Sequence, residues 1–243
     1  MIDDAGKAGS RANKAAEQYR QKRIDTMERV EVQRLVTERI VKTAYEETGK
    51  RFVPAAASNR HIHVSAQDLE TLFGKGYALK QERALSQPGQ FAAAETVSIA
   101  GPKGKIDQVR VLGPARGKTQ VEILMTDAFK LGVSPVVRLS GDLEGTPGAT
   151  IIGPVGSVEL SAGVIVAMRH VHISVEQAAW LGLQNGDLAT IRKDGVRALV
   201  FENVPVRCGE GHSLELHLDM EEANAGSIKN GELLEIVGIA RKP

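Results

Sequence analysis

Two patterns of hydrophobic and polar positions divide the chain near residue 50. Before this point Ala, Gln, Glu, Lys and Arg dominate, and apolar residues recur at helical spacing. After it, short apolar runs bounded by Gly, Pro, Asn or Asp predict strands at 96–100, 109–112, 120–124, 188–191, 198–201, 213–218 and 233–237. Glycine-containing turns at 101–104 and 193–195 predict hairpin tips. We therefore expect a mainly β body with closed or nearly closed barrels.

The first 50 residues are expected to form two helices. Between residues 7 and 23 six basic side chains face only Glu17, and the apolar stripe there (Ala12, Ala15, Ala16, Tyr19) is too narrow to fold alone. Asp25 or Thr26 is expected to cap a second helix that ends before Gly49 and packs on the body. Its apolar face consists of Val32, Leu35, Val36, Ile40, Val41 and Ala44. Residues 1–24 are interpreted as a solvated tail, which composition slightly favours, or as a docking helix for a partner.

An internal repeat organises the body. Residues 60–65 (Arg-His-Ile-His-Val-Ser) match residues 169–174 (Arg-His-Val-His-Ile-Ser) in residue type at every position. A helix is predicted after each, at 66–73 and 175–183, with Ser65 or Ser174 as the N-cap. A weaker echo relates 111–114 and 121–123 to 151–154 and 158–160. The repeat predicts two related halves, each a strand followed by a helix.

Four of the six histidines lie in the two His-x-His pairs of this repeat. On a strand, residues i and i+2 point to one face, so His61 and His63 place two imidazoles side by side, as do His170 and His172. One such pair is as often a polar strand face as a metal site, but two matched pairs favour metal binding.

Each pair needs one more ligand to form a catalytic zinc site, which has three protein ligands and an open position. His217, in a strand-like segment, is a candidate third ligand for one pair, and Glu122, flanked by strand formers, for the other. Both can also be ordinary exposed strand residues. His212 is interpreted as a loop residue because its surroundings are rich in glycine.

A glycine-containing basic turn at 113–119 offers a candidate anion site. Arg116 can present a fixed fork of donors to phosphate oxygens, although such turns are usually solvated hairpin tips. The sequence lacks the phosphate-binding loop and the dinucleotide-binding fingerprint, which disfavours nucleotide enzymes. It also lacks a Gly-x-Ser-x-Gly elbow, and Cys208 has no obvious partner beyond His212, so covalent catalysis is not indicated.

Charge, apolar runs and cysteine content limit the partners and the compartment that we expect. With 31 basic and 30 acidic residues, we expect no nucleic acid partner. The apolar runs are too short to span a bilayer, so no membrane insertion is expected. A single cysteine and an N-terminus without a secretory apolar core predict a cytoplasmic protein.

Several segments together resemble the PduL family of phosphate acyltransferases. They are residues 58–65, 140–142, 169–172, 217–219 and 222–225, and the resemblance runs from about residue 53 to the C-terminus. It implies reversible transfer of a short acyl group, propanoyl or acetyl, between coenzyme A and phosphate at a di-zinc site. It also implies two β-barrel domains capped by short helices, at 51–160 and 161–243, after a peptide at 1–24 and a helix at 25–50.

The resemblance further implies roles for individual residues. One zinc would be held by His61, His63 and Glu122, and the other by His170, His172 and His217. Arg116 falls at the position of the family's phosphate-contacting arginine. Four residues resemble the family's coenzyme A contacts: Ser58, Arg110, Leu112 and Asn224.

The family is associated with bacterial microcompartments, and its members often carry an N-terminal extension that targets the enzyme inside. Residues 1–24 resemble such a peptide, so the expected partners are shell or cargo proteins, acyl-CoA, phosphate and further copies of the chain. Two other functions remain open from the residues alone: a zinc-dependent thioesterase or hydrolase, and a zinc-stabilised scaffold module without turnover.

Overall fold

The computed structural model describes residues 4–241, with the side chains of residues 17, 21, 24, 26 and 28–241. This part of the chain contains five helices: α1 (Asp4–Thr48), α2 (Ala66–Phe73), α3 (Met125–Leu131), α4 (Val175–Leu181) and α5 (Met220–Gly226). Its first nine strands are β1 (Arg51–Ser58), β2 (His61–Ser65), β3 (Gln81–Ala84), β4 (Phe91–Ala100), β5 (Lys105–Arg116), β6 (Gln120–Ile123), β7 (Val137–Arg138), β8 (Ala149–Ile152) and β9 (Ser157–Leu160). The remaining strands are β10 (Val164–Ala167), β11 (His170–Ile173), β12 (Leu188–Lys193), β13 (Leu199–Cys208), β14 (Glu215–Asp219) and β15 (Leu233–Ala240).

The strands form one closed barrel and one curled, open sheet. The barrel has the order β1-β14-β11-β13-β12-β15. The nine-stranded sheet has the order β7-β10-β6-β2-β5-β4-β8-β9, with β3 paired to β4. The mainly β fold predicted from the sequence is confirmed, with the first of the two β layers curled but open. Among the helices of residues 4–241, none has the length and apolar character that crossing a bilayer requires.

The open sheet is inserted into the barrel. Strands β2 to β10 are consecutive in the sheet, whereas the barrel combines β1 with β11 to β15. β1 lies between β14 and β15, and β10 lies between β7 and β6. The predicted domain boundary at residue 160 therefore groups β1 with the open sheet and β10 with the barrel. In the structure, β1 pairs within the barrel and β10 within the open sheet. The parallel pairs β1–β14 and β10–β6 join segments far apart in sequence, and local patterns do not report such pairings.

The internal repeat corresponds to two four-strand units of identical pairing. In the barrel, β1 is parallel to β14, β14 antiparallel to β11, and β11 parallel to β13. In the open sheet, β10 is parallel to β6, β6 antiparallel to β2, and β2 parallel to β5. The predicted correspondence of 111–114 and 121–123 with 151–154 and 158–160 is wrong. The latter segments form β8 and β9, which pair with each other on the far side of β4, and β6 instead corresponds to β14.

The helices after the two His-x-His strands begin as predicted. The Ser65 hydroxyl accepts a hydrogen bond from the Asp68 amide, and the Ser174 hydroxyl accepts one from the Gln177 amide. Both predicted hairpins are present, joining β4 to β5 and β12 to β13. The apolar residues of the histidine strands face two cores: Ile62 and Val64 the core of the open sheet, Val171 and Ile173 the core of the barrel. Because side chains alternate along a strand, the histidines face away from both cores.

The N-terminal region forms one continuous helix, α1, so the predicted break with a cap at Asp25 or Thr26 is wrong. No glycine or proline occurs between Ser10 and Gly49, and the residues are mostly strong helix formers, so nothing interrupts the helix. At 1.5 Å per residue its 45 residues span about 67 Å. The predicted stripe at Ala12, Ala15, Ala16 and Tyr19 lies outside the side chains that the structure describes.

The C-terminal part of α1 packs on the body, as predicted, but through only part of the predicted face. Val41 is fully buried, Glu38 accepts a hydrogen bond from Gln177 at 2.8 Å, and Tyr45 lies 6.5 Å from Trp180 between ring centres. The predicted contact residues Val32, Leu35, Val36 and Ile40 are about half exposed. Adjacent helical residues point about 100° apart, so the row through residues 38, 41 and 45 faces the body while residues 32, 36 and 40 lie beside it.

Candidate metal and substrate site

The first candidate metal group is formed by His61, His63 and Glu122. His61 and His63 lie on β2, and Glu122 on β6 faces His61 directly across the antiparallel pair. Their donor atoms lie within 4.8 Å of one another, and all three residues are largely buried. The Nδ1–H of His61 donates to the Asn59 carbonyl at 2.8 Å, which leaves Nε2 facing Glu122 Oε2 at 3.3 Å.

The second group has the same layout in the barrel. His170 and His172 lie on β11, and His217 on β14 faces His170 across the antiparallel pair. Their donor atoms also lie within 4.8 Å of one another. The Nδ1–H of His170 donates to the Met168 carbonyl at 2.8 Å, and its Nε2 lies 3.0 Å from His172 Nε2. The structure thus brings all six predicted ligands together in two matching triads.

Each triad belongs to a patch of four residues, two on each of two neighbouring strands. Gln120 on β6 faces His63, and Glu215 on β14 faces His172. The side-chain amide of Gln120 donates to Glu122 Oε1 at 2.7 Å. The imidazole Nε2–H of His217 donates to Glu215 Oε2 at 2.7 Å. In both patches, the residue two positions before the third predicted ligand contacts that ligand.

An arginine anchors each histidine strand to the helix that follows the third ligand. Arg60, just before His61, pairs with Asp127 of α3 at 2.7 Å. Arg169, just before His170, pairs with Glu222 of α5 at 2.8 Å. Both acids occupy the third position of their helices and bond back to the capping residue. These pairs explain why the repeat begins with arginine.

Burial controls the protonation of the triads. Burial, together with neighbouring positive charges, lowers the pKa of His63 to about 3, of His170 to about 4 and of His172 to about 2. Burial acts the same way on His61, but the Glu122 carboxylate outweighs it and raises the pKa of His61. In turn, His61 keeps the pKa of Glu122 well below its usual range although burial alone would raise it. At neutral pH, His63, His170 and His172 are therefore neutral imidazoles.

The donor set fits zinc. Neutral imidazole nitrogens and a carboxylate oxygen are the ligands that zinc takes, and three of them leave one position open. Among the described residues, the Nδ1 atoms of His63 and His172 are buried and make no hydrogen bond of normal geometry. Buried polar atoms without partners are uncommon, and a bound metal ion would give the atoms of these two histidines a partner.

Both triads line one cleft with a volume of about 1430 Å³. This volume is larger than that of most pockets that bind small ligands. Arg116 lines the cleft, and its guanidinium donates to the Ser140 hydroxyl at 3.4 Å. Burial, together with the charge of Arg207, lowers the pKa of Arg116. Ser58, Arg110 and Leu112 also line the cleft, whereas Asn224 lies on α5, exposed and outside the lining.

Comparison with known proteins identifies the chain's relatives. A model of the phosphate propanoyltransferase family matches residues 54–229. The chain belongs to this family. The phosphate propanoyltransferase of Thermotoga maritima is 54% identical over 181 residues, which cover 74% of this chain and 86% of that protein. The phosphate propanoyltransferases of Rhodobacter capsulatus (48% over 193 residues; 79% and 90% covered) and Salmonella typhimurium (46% over 191 residues; 78% and 90% covered) are also similar. Membership confirms the resemblance and the acyltransferase class predicted from the sequence.

Several polar residues of the site are not among those that the sequence predicts. Gln120 and Glu215 were detectable, since each stands two residues before a predicted third ligand and therefore shares its strand face. Arg207 faces His172 across the parallel pair β11–β13 and lines the cleft. His212 lies in a loop, as predicted, but its ring centre is 4.3 Å from that of His172. Neither residue belongs to a sequence pattern that would have revealed these contacts.

Proposed function

We propose that this chain transfers a short acyl group, propanoyl or acetyl, reversibly between coenzyme A and inorganic phosphate. The observation that carries the proposal is that two matching triads and Arg116 face one cleft. The names of the relatives support phosphate as the acyl acceptor. A cleft of this size supports a substrate as large as an acyl-coenzyme A.

Two zinc ions are part of the proposal. His61, His63 and Glu122 would hold one, and His170, His172 and His217 the other, in agreement with the donor chemistry of the triads. When bound, zinc supplies Lewis acidity to oxygen atoms of the substrates. The buried imidazoles are already deprotonated at neutral pH, so they are ready to bind metal without losing protons.

Arg116 is proposed to bind and orient the phosphate. A guanidinium presents several N–H donors in a fixed fork, which matches phosphate oxygens, and the partial burial of Arg116 strengthens the attraction. Ser58, Arg110, Leu112 and Asn224 are proposed to contact coenzyme A. Three of these residues line the same cleft as Arg116, which supports that role for them.

The proposed reaction needs no dedicated general base. A phosphate oxygen attacks the thioester carbonyl carbon, and a new C–O bond forms as the carbonyl electrons move onto oxygen. Collapse of this tetrahedral species breaks the C–S bond and releases coenzyme A thiolate, leaving acyl phosphate. A substantial share of inorganic phosphate is dianionic near neutral pH, and thiolate is a good leaving group. Among the side chains of the site, Arg116 therefore contributes chiefly by positioning the phosphate.

The test is release of free thiol from acetyl-CoA and propanoyl-CoA by zinc-loaded protein, with and without phosphate. Release that requires phosphate supports the proposal, and the ratio of the two rates gives the acyl preference. Equal release without phosphate would identify a thioesterase. No release from either substrate, with zinc bound, would identify a scaffold role and refute the proposal.

We further propose that residues 1–24 are an encapsulation peptide and that the enzyme works inside a bacterial microcompartment in the cytoplasm. The support is compositional: a basic segment with a thin apolar stripe can fold against a shell or cargo protein. Full-length protein should co-sediment with purified shells, and a variant lacking residues 1–24 should remain in the supernatant with unchanged specific activity. Equal sedimentation of both proteins would contradict the proposal.

A homo-oligomer is also proposed. The half-exposed apolar residues of α1 are consistent with contacts between copies, since such side chains are usually covered. Light scattering on purified protein should give a mass that is a multiple of the 26.1 kDa chain. A mass of one chain at micromolar concentration would refute this state.

A further inference from the structure

A buried carboxylate that the proposed reaction does not use lies beside the second triad. Glu215 is only 7% exposed, and its Oε2 accepts three hydrogen bonds. The donors are His217 Nε2 at 2.7 Å, the Ser86 hydroxyl at 2.7 Å and the Gln87 amide at 3.0 Å. Three donors converging on one oxygen fix the position of this carboxylate.

Two of these donors come from the other β layer. Ser86 and Gln87 lie in the loop between β3 and β4 of the open sheet, whereas Glu215 and His217 lie on β14 of the barrel. Gln87 is buried, and its amide also exchanges two hydrogen bonds with the backbone of Ser213, at 3.1 and 3.2 Å. The loop is therefore docked firmly at the edge of the second triad.

The first triad contains the same arrangement in different residues. Gln120 occupies the position equivalent to Glu215 and donates to Glu122. Gln120 is held by loop residues of the open sheet: its amide donates to the Ser140 hydroxyl at 2.8 Å, and its oxygen accepts from the Gly141 amide at 2.8 Å. In both patches, the residue two positions before the third predicted ligand is hydrogen-bonded to that ligand. In both patches, this residue is also hydrogen-bonded to a loop serine. This recurrence argues for a role beyond local packing.

The chemistry of imidazole gives that role a mechanism. A carboxylate can only accept from His217 Nε2, so the proton lies on Nε2 and the lone pair lies on Nδ1. Partners of this kind fix the tautomer and the ring orientation of a histidine and raise its basicity toward metal.

We propose that Glu215 is a positioning residue of the second metal site. It fixes the tautomer and orientation of His217, and Ser86 and Gln87 of the open sheet fix Glu215 in turn. The inference rests on the proposed zinc at that triad. It makes the β3–β4 loop part of the metal centre of the other β layer.

Zinc affinity at the two sites tests the inference without reference to activity. Wild type, Glu215→Ala, Glu215→Gln and the control Glu95→Gln are titrated in competition with a chromogenic chelator. Glu95 is the matched control because it is also 7% exposed and accepts hydrogen bonds, from Tyr77 and Lys80, but lies outside the cleft lining. Loss of an outer partner of a ligand weakens metal binding by roughly 10- to 100-fold. We expect such a loss at one site in Glu215→Ala, a smaller loss in Glu215→Gln, whose amide oxygen still accepts, and none in Glu95→Gln.

A loop variant keeps the inference testable if the Glu215 variants fail to fold. Ser86 is exposed, and Ser86→Ala should weaken the same single site by a few-fold. Wild-type affinity at both sites in Ser86→Ala and in every folded Glu215 variant would overturn the inference. An equal loss in Glu95→Gln would also overturn it, because the effect would then be generic. If wild type itself binds no zinc, the proposed metal centres fail, which is distinguishable from a failure of Glu215 alone.

Discussion

Lowering the pH of metal-free protein should destabilise the fold through the site histidines. His63, His170 and His172 stay neutral in the folded state because burial and neighbouring positive charges lower each pKa to about 4 or below. In the unfolded chain a histidine binds a proton with a pKa of about 6.5. Below pH 6.5 the unfolded state therefore binds protons that the folded state does not, and the free energy of unfolding falls as the pH falls.

The size of the effect follows from these pKa values. Between pH 7.5 and 5.5 each of the three histidines removes about 1.4 kcal/mol of stability, or about 4 kcal/mol together. His61 acts in the opposite direction, because Glu122 raises its pKa in the folded state. Its contribution is present below pH 6.5 and is lost as the pH rises through the folded pKa, so it offsets at most about 1.4 kcal/mol. The net loss is about 3 kcal/mol.

The assay is urea denaturation of chelator-treated protein at pH 7.5 and 5.5, followed by circular dichroism. The matched variant is His172→Asn, which removes one of the buried imidazoles and should reduce the pH-dependent loss by about 1.4 kcal/mol. Equal free energies of unfolding at the two pH values would refute the reasoning. So would a His172→Asn variant with the full pH dependence of wild type, since the loss would then come from other groups.

Three further outcomes are expected. Arg116→Ala should reduce acyl transfer and leave zinc content intact; unchanged turnover would remove Arg116 from the mechanism. Ile62→Ala, at a fully buried position, should lower the free energy of unfolding by about 2–5 kcal/mol, as measured by denaturation. Phe129→Ser, at an exposed position, should change it little. A similar loss of stability in both variants would contradict the assigned core. Gly101→Ala should lower the Tm because the added Cβ would lie 2.4 Å from the Leu131 carbonyl oxygen. Gly117→Ala should not lower the Tm, because the space around Gly117 is open. Equal Tm values of the two variants would disprove the close approach.

The sequence predicts the features that depend on interactions between residues close together in the chain. The His-x-His spacing places each histidine pair on one face of a strand, and Ser65 and Ser174 start the following helices by accepting backbone hydrogen bonds. Both features depend on residues within four positions of each other. Strand context makes His217 and Glu122 candidate third ligands, and the structure brings them to the predicted pairs.

The remaining features depend on contacts that sequence patterns do not contain. β1 pairs with β14, about 160 residues later, and nothing in the Val53 to Ala57 segment specifies that partner. The body-facing row of α1 is selected by the position of Trp180 and Gln177, so apolar content alone identifies Val41 but not Glu38 or Tyr45. Glu215 is held by Ser86 and Gln87 of a distant loop, and that contact exists only once both β layers are assembled.

The insertion of the open sheet into the barrel has a consequence for biosynthesis. Every strand of the open sheet, β2 to β10, is synthesised before β11, whereas β1 must wait for β14 and β15 before it has a neighbour in the barrel. Domains generally fold as units in the order of their synthesis. We therefore expect the triad of His61 to form first in the nascent chain and the triad of His170 to form last, when the ends of the barrel meet around the folded insert.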